Sequence, residues 1–508
     1  MESLKLVKAL DEKNLGYLSP QQLLSFLGKH GILKEDLRID KIKDLLKKLA
    51  QDELEIPHID PGAFNKIVHK NKLIDRAIKR DFIVPDFSSF SDEFASIHKK
   101  VRKIRDGKIA SYIPQLAKVN PDLWAASVCT VDGQIFSVGD FNEKFCLQSA
   151  CKPVNYAIAM EGLGEQMVHQ HVGKEPSGHS FNELTLNDQG IPHNPLINAG
   201  AIMCVSLFGQ ELAASDKFEL LEKKWHELIG ESPTFNNSVY LSERQTADRN
   251  YALAYFMREN KAFPDKTNIT EVLDTYFQSC SIEIDTQQMA KMAASFANSG
   301  INPFTNNKVF NVHTVKNCLT LMNSCGMYDY SGEFAFHIGL PAKSGVSGVI
   351  WIVVPNVMGI CLYSPLLDHH GNSAKGIAFA KEFVKKYNFH PYDSLNFESK
   401  KKKDPRRTKY HKENKTVSLI SAAANGDLDE IKRLQAIGID LNQPDYDGRT
   451  ALHLASAENQ FDTVIYLLSA GVHHHPKDRW GGTPLEDARK AGNKEITELL
   501  SPINDKVI

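Results

Sequence analysis

The spacing of apolar residues divides the chain into segments of different predicted structure. Up to about residue 75, leucines recur at intervals of three and four with charged residues between them, as in QQLLSFLGKHGIL and DKIKDLLKKLA. This spacing puts the leucines on one face of a helix. We predict a small helical module over 1–75, followed by a linker over 76–95.

The helical module contains a segment with the outline of a calcium-binding EF-hand loop, DEKNLGYLSPQQLL (11–24). Asp11 stands at the first loop position, but Lys13 and Leu15 hold the third and fifth. Gln22 replaces the bidentate glutamate expected at the twelfth. A calcium ion would meet one carboxylate and a lysine, so we predict a metal-free module.

The middle of the chain, 96–395, alternates strand and helix patterns. LWAASVCTVDGQIFSVGD (123–140) holds two β-rich runs around Asp-Gly, which predicts a hairpin. GVIWIVVPNVMGICLY (348–363) is too short to span a bilayer and is interrupted by Pro-Asn, so it predicts two buried strands around a turn. Helical patterns lie between them and again over 374–387. We predict an α+β domain whose sheet is assembled from both ends of the segment.

The C-terminal portion repeats itself. Leu419, Leu452 and Leu485 begin similar segments, each 33 residues after the one before, and the turns DYDGRTALHLA and DRWGGTPLEDA precede the later two. A β-turn followed by two helices at this period is the ankyrin pattern. We predict an all-α ankyrin array over 416–508, joined to the middle by a basic linker over 396–415.

Composition narrows the function classes without choosing one. The 508 residues carry a formal net charge of −2, which gives no electrostatic reason to expect nucleic acid as a partner. The eight cysteines form no CxxC pair and no zinc-finger spacing, so we predict free, mostly buried thiols and no metal site. The N-terminus, MESLKLVKALDEKN, has neither a signal-peptide core nor the arginine-rich pattern of a transit peptide.

FCLQSACKPVNYA (145–157) carries the first candidate chemistry. Ser149 and Lys152 stand three residues apart, a spacing that puts both side chains on one helix face. Pro153 is tolerated only in a first turn, which places Ser149 at the helix start. A serine there becomes a nucleophile if a neutral amine takes its proton, and the apolar flanks favour burial of that amine.

A second motif strengthens this interpretation. Lys343-Ser344-Gly345 directly precedes the apolar run at 348. In penicillin-binding proteins and β-lactamases a Lys-Thr/Ser-Gly strand lies beside the SxxK helix. In the same arrangement in this chain, Lys343 would supply a supporting cation near Lys152. The Ser-x-Asn element of those enzymes is missing, so a tyrosine is the candidate for the third role. Together the motifs predict serine acyl-enzyme chemistry.

Longer segments resemble a known family. YIPQLAKVNPDLWAASVCTVDGQ, FCLQSACKP, VGKEPSG, PHNPLINAGAI, SERQTADRNYA, SCGMYDYSGEFAFHIGLPAKSGVSG and VVPNVMG are similar to the animal kidney- and liver-type glutaminases. The flanking EF-hand-like module and ankyrin repeats match that family's architecture. The resemblance implies a β-lactamase-like catalytic domain that hydrolyses L-glutamine to L-glutamate and ammonia.

The resemblance also implies roles for individual residues. Ser149 would be the nucleophile, Lys152 its base and Tyr328 a proton shuttle, with an oxyanion hole formed by the backbone N–H groups of Ser149 and Val346. The substrate's α-amino and α-carboxyl groups would be held by Tyr112, Asn198, Glu243, Asn250 and Tyr276. The family further implies no cofactor, phosphate as activator, dimers and tetramers, and a mitochondrial location, with a cytosolic isoform as the alternative.

One segment departs from the family. The activation loop reads HSFNELTLNDQG (179–190), with Thr185 where the animal enzymes carry a phenylalanine. We expect this change to affect inhibitor binding and phosphate-dependent assembly rather than the chemistry. Two other functions stay open at this point: a β-lactam or D-Ala peptidase, and an ankyrin-based interaction protein whose central domain is inactive.

Overall fold

A computed structural model of the chain describes residues 17–40, 42–44, 59, 64, 71–178, 183–395, 402–406, 415–436 and 438–501. The chain separates into two compact units, one formed by Met1–Asp86 with Pro405–Ile508 and the other by Phe87–Asp404. Part of the calcium-loop prediction (11–16), part of the activation loop (179–182) and most of the predicted basic linker lie outside the described residues.

Eight strands lie in the described part of the chain. They are β1 (Ala125–Thr130), β2 (Ile135–Gly139), β3 (Phe145–Cys146), β4 (Thr234–Phe235), β5 (Ile282–Ile284), β6 (Ala342–Gly345), β7 (Val349–Val354) and β8 (Met358–Tyr363).

The α-helices of the described residues number twenty. They are α1 (Pro20–Lys29), α2 (Lys72–Lys79), α3 (Phe87–Val101), α4 (Pro114–Ala117), α5 (Lys152–Val168), α6 (Asn198–Leu207), α7 (Ala214–Ile229), α8 (Asn237–Gln245), α9 (Asp248–Glu259), α10 (Ile269–Cys280), α11 (Thr286–Ala297), α12 (Val312–Cys325), α13 (Ser331–His337), α14 (Ala374–Lys386), α15 (Lys415–Asn425), α16 (Leu428–Ala436), α17 (Ala451–Ala457), α18 (Phe461–Ser469), α19 (Pro484–Ala491) and α20 (Lys494–Leu500). Short 3₁₀ turns occur at Leu37–Ile39, Gln148–Cys151, Tyr328–Tyr330 and Asp393–Leu395.

The larger unit is built on an antiparallel sheet with the strand order β2-β1-β8-β7-β6. The predicted hairpin is β1–β2, and the predicted strand pair around Pro355 is β7–β8, with all twelve of its strand residues buried. Because β1 pairs with β8, the sheet joins the two ends of the segment, as predicted.

Helices cover both faces of this sheet. On one face α11 packs on β8 and β1 so closely that a Cβ built on Gly359 would lie 2.3 Å from the backbone nitrogen of Ala294. On the other face Phe94 of α3 meets Phe379 of α14 edge to face, with 4.9 Å between ring centroids. Burial on both faces explains why β7 and β8 read as continuous apolar runs in an antiparallel sheet.

The predicted linker 76–95 is mostly helical. It holds the end of α2 and the first residues of α3, whose Phe87, Phe90 and Phe94 are buried. These phenylalanines are spaced three and four apart and so share one helix face. α3 belongs to the larger unit, where its aromatic face packs on α14.

The smaller unit contains the N-terminal helices and the repeats. Gln22, at the twelfth position of the loop pattern, belongs to a helix cap: its side chain accepts a hydrogen bond from the Ser19 N–H at 2.7 Å, and Ser19 Oγ caps α1 in return. The repeats form three helix pairs, α15–α16, α17–α18 and α19–α20, around a core that includes Leu419 and Leu452. This is the predicted ankyrin arrangement.

Candidate active site

Ser149 lies in a tight turn between a strand and a helix. β3 pairs with β5, the 3₁₀ turn Gln148–Cys151 follows, and α5 begins at Lys152 with Pro153 in its first turn, as predicted. The indole of Trp351 donates to the Ala150 carbonyl at 3.2 Å and so fixes this turn to β7. The Ser149 residue is 8% exposed. A serine held at a helix start can present its hydroxyl and its own N–H to the same substrate group.

Lys152 is completely buried beneath this turn. Its amine donates to the Asn198 amide oxygen at 2.6 Å. Burial lowers the pKa of Lys152 to about 8, while nearby Cys280 and Cys151 oppose the shift. A lysine that titrates near 8 is partly neutral at physiological pH, so it can accept a proton from a neighbouring hydroxyl.

Lys343 and Tyr328 lie beside this pair. The Lys343 amine donates to the Ser344 carbonyl at 2.6 Å and lies 4.6 Å from the centre of the Tyr328 ring. The Tyr328 hydroxyl donates to the same carbonyl at 3.2 Å. Burial raises the pKa of Tyr328 above its ordinary value, and hydrogen bonds with Ser149 and Ser344 oppose the rise. The phenol is therefore protonated and in hydrogen-bond reach of the nucleophile.

Two buried amines lie close together in this region. Burial holds the pKa of Lys343 well below its usual range, and the charge on Lys152 lowers it further. A positive charge on either lysine disfavours one on the other, so the two titrate as a coupled pair. The supporting-cation role of Lys343 stays a prediction.

The β6 strand that carries Lys343 comes unusually close to the nucleophile turn. A Cβ on Gly345 would lie 2.8 Å from the Leu147 carbonyl oxygen and 3.4 Å from the Ala150 Cβ. Glycine is required here by close approach of two backbones. Val346 follows in the turn to β7 and packs against a small cluster that includes Ile113 and Cys146.

A buried carboxylate lies on the other side of the serine. Glu243 of α8 is 7% exposed and forms no ion pair with any residue that the structure describes. It accepts from the Tyr112 hydroxyl at 2.6 Å and from the Gln148 amide at 3.0 Å. Burial raises the pKa of Glu243, and these two hydrogen bonds oppose the rise. An ammonium group in this position would complete the pairing of the carboxylate.

The remaining predicted residues extend the polar wall. The Asn198 amide that accepts from Lys152 also donates to Asn250 Oδ1 at 3.1 Å, so α5, α6 and α9 are linked through one chain of hydrogen bonds. Tyr276 of α10 is buried, and burial together with Cys280 and Cys151 raises its pKa. The hydrogen bonds thus join predicted residues of three helices, α5, α6 and α9.

Sequence reasoning missed Gln148. Its side chain lies between Glu243 and Tyr112, with its Oε1 2.9 Å from the Tyr112 hydroxyl, and it is 3% exposed. The backbone of Gln148 has a φ of +50°, and Tyr328 has a φ of +53°. Positive φ is uncommon for residues other than glycine. Strained backbone of this sort concentrates at functional sites. The available signal was its place next to Ser149, but a glutamine before a serine carries no pattern of its own.

The departing activation loop is described only from residue 183. There Leu184 is 40% exposed, and the Asn187 side chain accepts from the N–H groups of Gln189 and Ile191. The backbone N–H of Thr185 donates to the Glu183 carbonyl. Among the described residues, no hydrogen bond joins Thr185 to the site residues.

The cysteines are free, as predicted. Seven are buried and Cys325 is partly exposed. Within the described residues, no group of three or more His, Cys, Asp or Glu side chains could hold a metal ion. No helix in the described part of the chain is long and apolar enough to cross a membrane.

Three family models match the chain. The glutaminase model matches residues 107–392, more than half of the chain. The chain belongs to the glutaminase family. The glutaminase domain is followed by a match to ankyrin repeats (3 copies) at 403–507 and preceded by one to an EF-hand domain at 5–85. The architecture expected from the resemblance is therefore confirmed.

Curated relatives and solved structures agree with this assignment. The chain is 44% identical over 479 residues to "Glutaminase liver isoform, mitochondrial" of Rattus norvegicus, covering 94% of this chain and 79% of the relative. It is 45% identical to "Putative glutaminase 3" of Caenorhabditis elegans, with 92% and 82% covered. The structure of "Probable glutaminase ybaS" matches with a TM-score of 0.56 at 33% identity, covering 59% of this chain and 97% of that one. This glutaminase-family chain is thus an enzyme of the glutaminase class, with the predicted β-lactamase-like fold in its catalytic unit.

Proposed function

We propose that this chain hydrolyses L-glutamine to L-glutamate and ammonia through a γ-glutamyl ester on Ser149. The observation that carries the proposal is the environment of Lys152. Its amine is fully buried, three residues from the serine, and donates to the neutral Asn198 amide oxygen. Burial lowers the pKa of this amine to about 8, which favours the free base that the reaction needs.

In the first half of the reaction, Ser149 Oγ attacks the side-chain amide carbon of glutamine and Lys152 takes the hydroxyl proton. The negative charge that develops on the carbonyl oxygen is stabilised by the N–H groups of Ser149 and Val346. The C–N bond then breaks, and the nitrogen leaves as ammonia after receiving a proton through Tyr328. The protonated Lys152 restores the proton of the phenol.

In the second half, water attacks the ester carbon and gives a proton to Lys152. The C–Oγ bond breaks, Ser149 regains its proton and L-glutamate leaves. One water is consumed and no oxidant, metal or organic cofactor takes part in these steps. The same oxyanion donors serve both halves, because each passes through a tetrahedral intermediate at the same carbon.

The substrate's α-ammonium group pairs with Glu243, whose carboxylate is buried and otherwise held only by neutral donors. The α-carboxylate accepts from the amides of Asn198 and Asn250 and the hydroxyl of Tyr276. Tyr112 donates its one hydroxyl proton to Glu243 and so belongs to the α-amino end of the site, where Gln148 supports both residues. This division predicts a preference for free glutamine over a peptide-linked glutamine, whose main-chain nitrogen carries no charge.

Assembly and location follow the family in this proposal. The chain forms dimers and tetramers, inorganic phosphate promotes activity, and the enzyme acts in mitochondria, with a cytosolic form as the alternative. The ankyrin repeats present a surface for a protein partner. Ammonia release with and without phosphate, together with light scattering under both conditions, tests the assembly. Imaging of the full-length protein in cells tests the location.

The decisive experiment measures ammonia release from L-glutamine by the purified chain and by Ser149→Ala. We expect turnover by the parent protein, little on L-asparagine, and none by the variant. Ser215→Ala, on an exposed turn of α7, is the matched control and keeps full activity. No release above blank by the parent chain, with phosphate present, contradicts the glutaminase assignment. Hydrolysis of a β-lactam in its place would favour the peptidase alternative.

A further inference from the structure

Tyr328, the proposed proton shuttle, has an unfavourable backbone conformation. Its φ of +53° lies in the left-handed region. A residue with a bulky side chain rarely adopts this region, because its Cβ comes too close to the backbone. Such a conformation persists only where surrounding groups hold it. The contacts that hold this backbone therefore decide where the phenol lies.

Ser331 supplies two of these contacts. It begins α13, three residues after Tyr328, and is 6% exposed. Its hydroxyl accepts from the Met327 N–H at 3.0 Å and donates to the Tyr328 carbonyl at 2.7 Å, to which the Ser331 N–H also donates. A hydroxyl can donate and accept at the same time, so one side chain bonds to the backbone on both sides of the Tyr328 α-carbon.

A third contact comes from a separate loop. The Asn372 amide is completely buried and donates to the Met327 carbonyl at 3.3 Å. This carbonyl belongs to the peptide group that joins Met327 to Tyr328, so its hydrogen bond restrains rotation about the φ of Tyr328. The loop is closed by Asp368, whose side chain accepts from the N–H groups of His370 and Asn372. Residues of two elements thus hold one short stretch of backbone.

This backbone determines the position of the phenol at the other end of Tyr328. The hydroxyl donates to the Ser344 carbonyl at 3.2 Å and is hydrogen-bonded with Ser149. Because the side chain is long, a small change in φ moves the hydroxyl much further than it moves the Cβ. A displacement of about 1 Å at a reacting group can lower a rate by about a hundredfold. Loss of the backbone contacts should therefore affect turnover.

A serine near a helix end can also serve the helix alone, by donating to a carbonyl three or four residues earlier. Ser206 of α6 has such a bond: its hydroxyl donates to the Met203 carbonyl at 2.7 Å, and the residue is 4% exposed. Ser331 differs because its hydroxyl also accepts from a backbone N–H and because its two bonds span a left-handed residue. Ser206 is thus a matched control for Ser331.

We propose that Ser331 is a positioning residue: its hydroxyl, together with the Asn372 amide, holds Tyr328 in the left-handed conformation that directs the phenol at Ser149 and the leaving nitrogen. Ser331 acts through Tyr328 and not on the substrate. The expected effect on turnover rests on the proposed function, whereas the position of Tyr328 can be measured without any activity.

Glutamine kinetics of Ser331→Ala test the effect on turnover. We expect kcat to fall by about tenfold or more while KM changes by less than about threefold, because the phenol acts on the leaving group and not on the substrate's α-groups. Ser206→Ala loses a bond of the same length and should keep both constants within about twofold. An unchanged kcat in Ser331→Ala, or an equal loss in Ser206→Ala, overturns the proposal.

A second substrate distinguishes a misplaced phenol from general damage. The thiolate of a glutamate γ-thioester leaves without a proton, so its hydrolysis does not need the proton transfer assigned to Tyr328. We expect Ser331→Ala and Tyr328→Phe to slow glutamine hydrolysis by about tenfold or more, and thioester hydrolysis by less than about threefold. Equal losses on both substrates in Ser331→Ala, with the thioester spared in Tyr328→Phe, overturn the proposal.

Fluorine NMR of the full chain labelled with 3-fluorotyrosine reports on the position of Tyr328. The resonance that Tyr328→Phe removes belongs to this residue. We expect Ser331→Ala to shift or broaden that resonance and Ser206→Ala to leave it unchanged. An unmoved resonance in Ser331→Ala overturns the proposal. A moved resonance in a chain whose parent has no activity on glutamine contradicts the proposed function and leaves the positioning of Tyr328 intact.

Asn372→Ala is a second variant, and thermal unfolding verifies the fold of each. It removes the amide that holds the Met327 carbonyl. The Tyr328 resonance should shift, and kcat should fall with KM nearly constant, as in Ser331→Ala but by a smaller factor. If Ser331→Ala does not fold, these two measurements on Asn372→Ala decide the proposal, and an unmoved resonance with unchanged kcat overturns it.

Discussion

Replacing Lys343 by methionine tests how Lys152 is kept neutral. Lys343 is fully buried, and its amine donates to the Ser344 carbonyl at 2.6 Å. Methionine has a similar length and fills the same volume without a charge. The substitution therefore removes one nitrogen close to Lys152 while the apolar packing is retained.

The expected result depends on the charge of Lys343. With a pKa of about 8, half of Lys152 is neutral at pH 8, and about one-tenth at pH 7. If Lys343 is neutral, its removal takes away no charge and the midpoint of the curve of kcat/KM against pH stays at about 8. If Lys343 is a cation, its removal raises the pKa of Lys152 and moves the midpoint up by about one unit or more.

The assay is the initial rate of ammonia release at glutamine concentrations well below KM, across about pH 6–10, for the parent chain and Lys343→Met; this rate gives kcat/KM, which reports the pKa values of the free enzyme. In both proteins kcat/KM should rise with pH and level off above about 8, because the proton on Lys152 blocks the base. Lys375→Met is the control: this lysine is also buried, and its charged neighbours are Arg102, Arg105 and Asp140. The position of the midpoint is the readout, since the lost Ser344 contact can lower the rate itself.

A midpoint that moves up by a unit or more in Lys343→Met, with no shift in Lys375→Met, would refute a neutral Lys343. It would support the cationic role expected from the sequence motif. A midpoint far from 8 in the parent chain would refute burial as the source of the base.

Three further substitutions probe the site and the fold. Glu243→Gln should raise KM for glutamine by about tenfold or more with a smaller change in kcat, because a charge-assisted contact to the substrate ammonium is lost; an unchanged KM would contradict that contact. Trp351→Phe should lower the free energy of unfolding by about 1–3 kcal/mol, measured by urea denaturation, since it leaves a buried carbonyl unpaired; Trp480→Phe, at an exposed position, should change it little. Gly359→Ala should destabilise the protein by about 3 kcal/mol or more by pushing α11 off the sheet, whereas Gly162→Ala, at an open helical position, should be neutral or stabilising, and equal melting temperatures for the two would contradict the packing.

The sequence alone predicted the features that depend on local periodicity. The 33-residue repeat required only that similar helices recur, and the β1–β2 hairpin required only a turn signal between two β-rich runs. The SxxK spacing and Pro153 placed Ser149 at a helix start because helix geometry is the same in every protein. The predicted linker over 76–95 is mostly helical in the structure. The helix α3 in this segment is stabilised by packing of its aromatic face on α14, a contact that the local sequence pattern does not show.

The tertiary structure decided which polar residues are buried together and how they are charged. The partners Lys152 and Asn198, or Gln148 and Glu243, are 46 and 95 residues apart, and no local pattern links them. The pKa of Lys343 depends on burial and on a second lysine brought near it by β6, and no local pattern carries either of these. Spacing along the chain sets which side chains share a face, whereas pKa and pairing depend on desolvation, which only the folded arrangement determines.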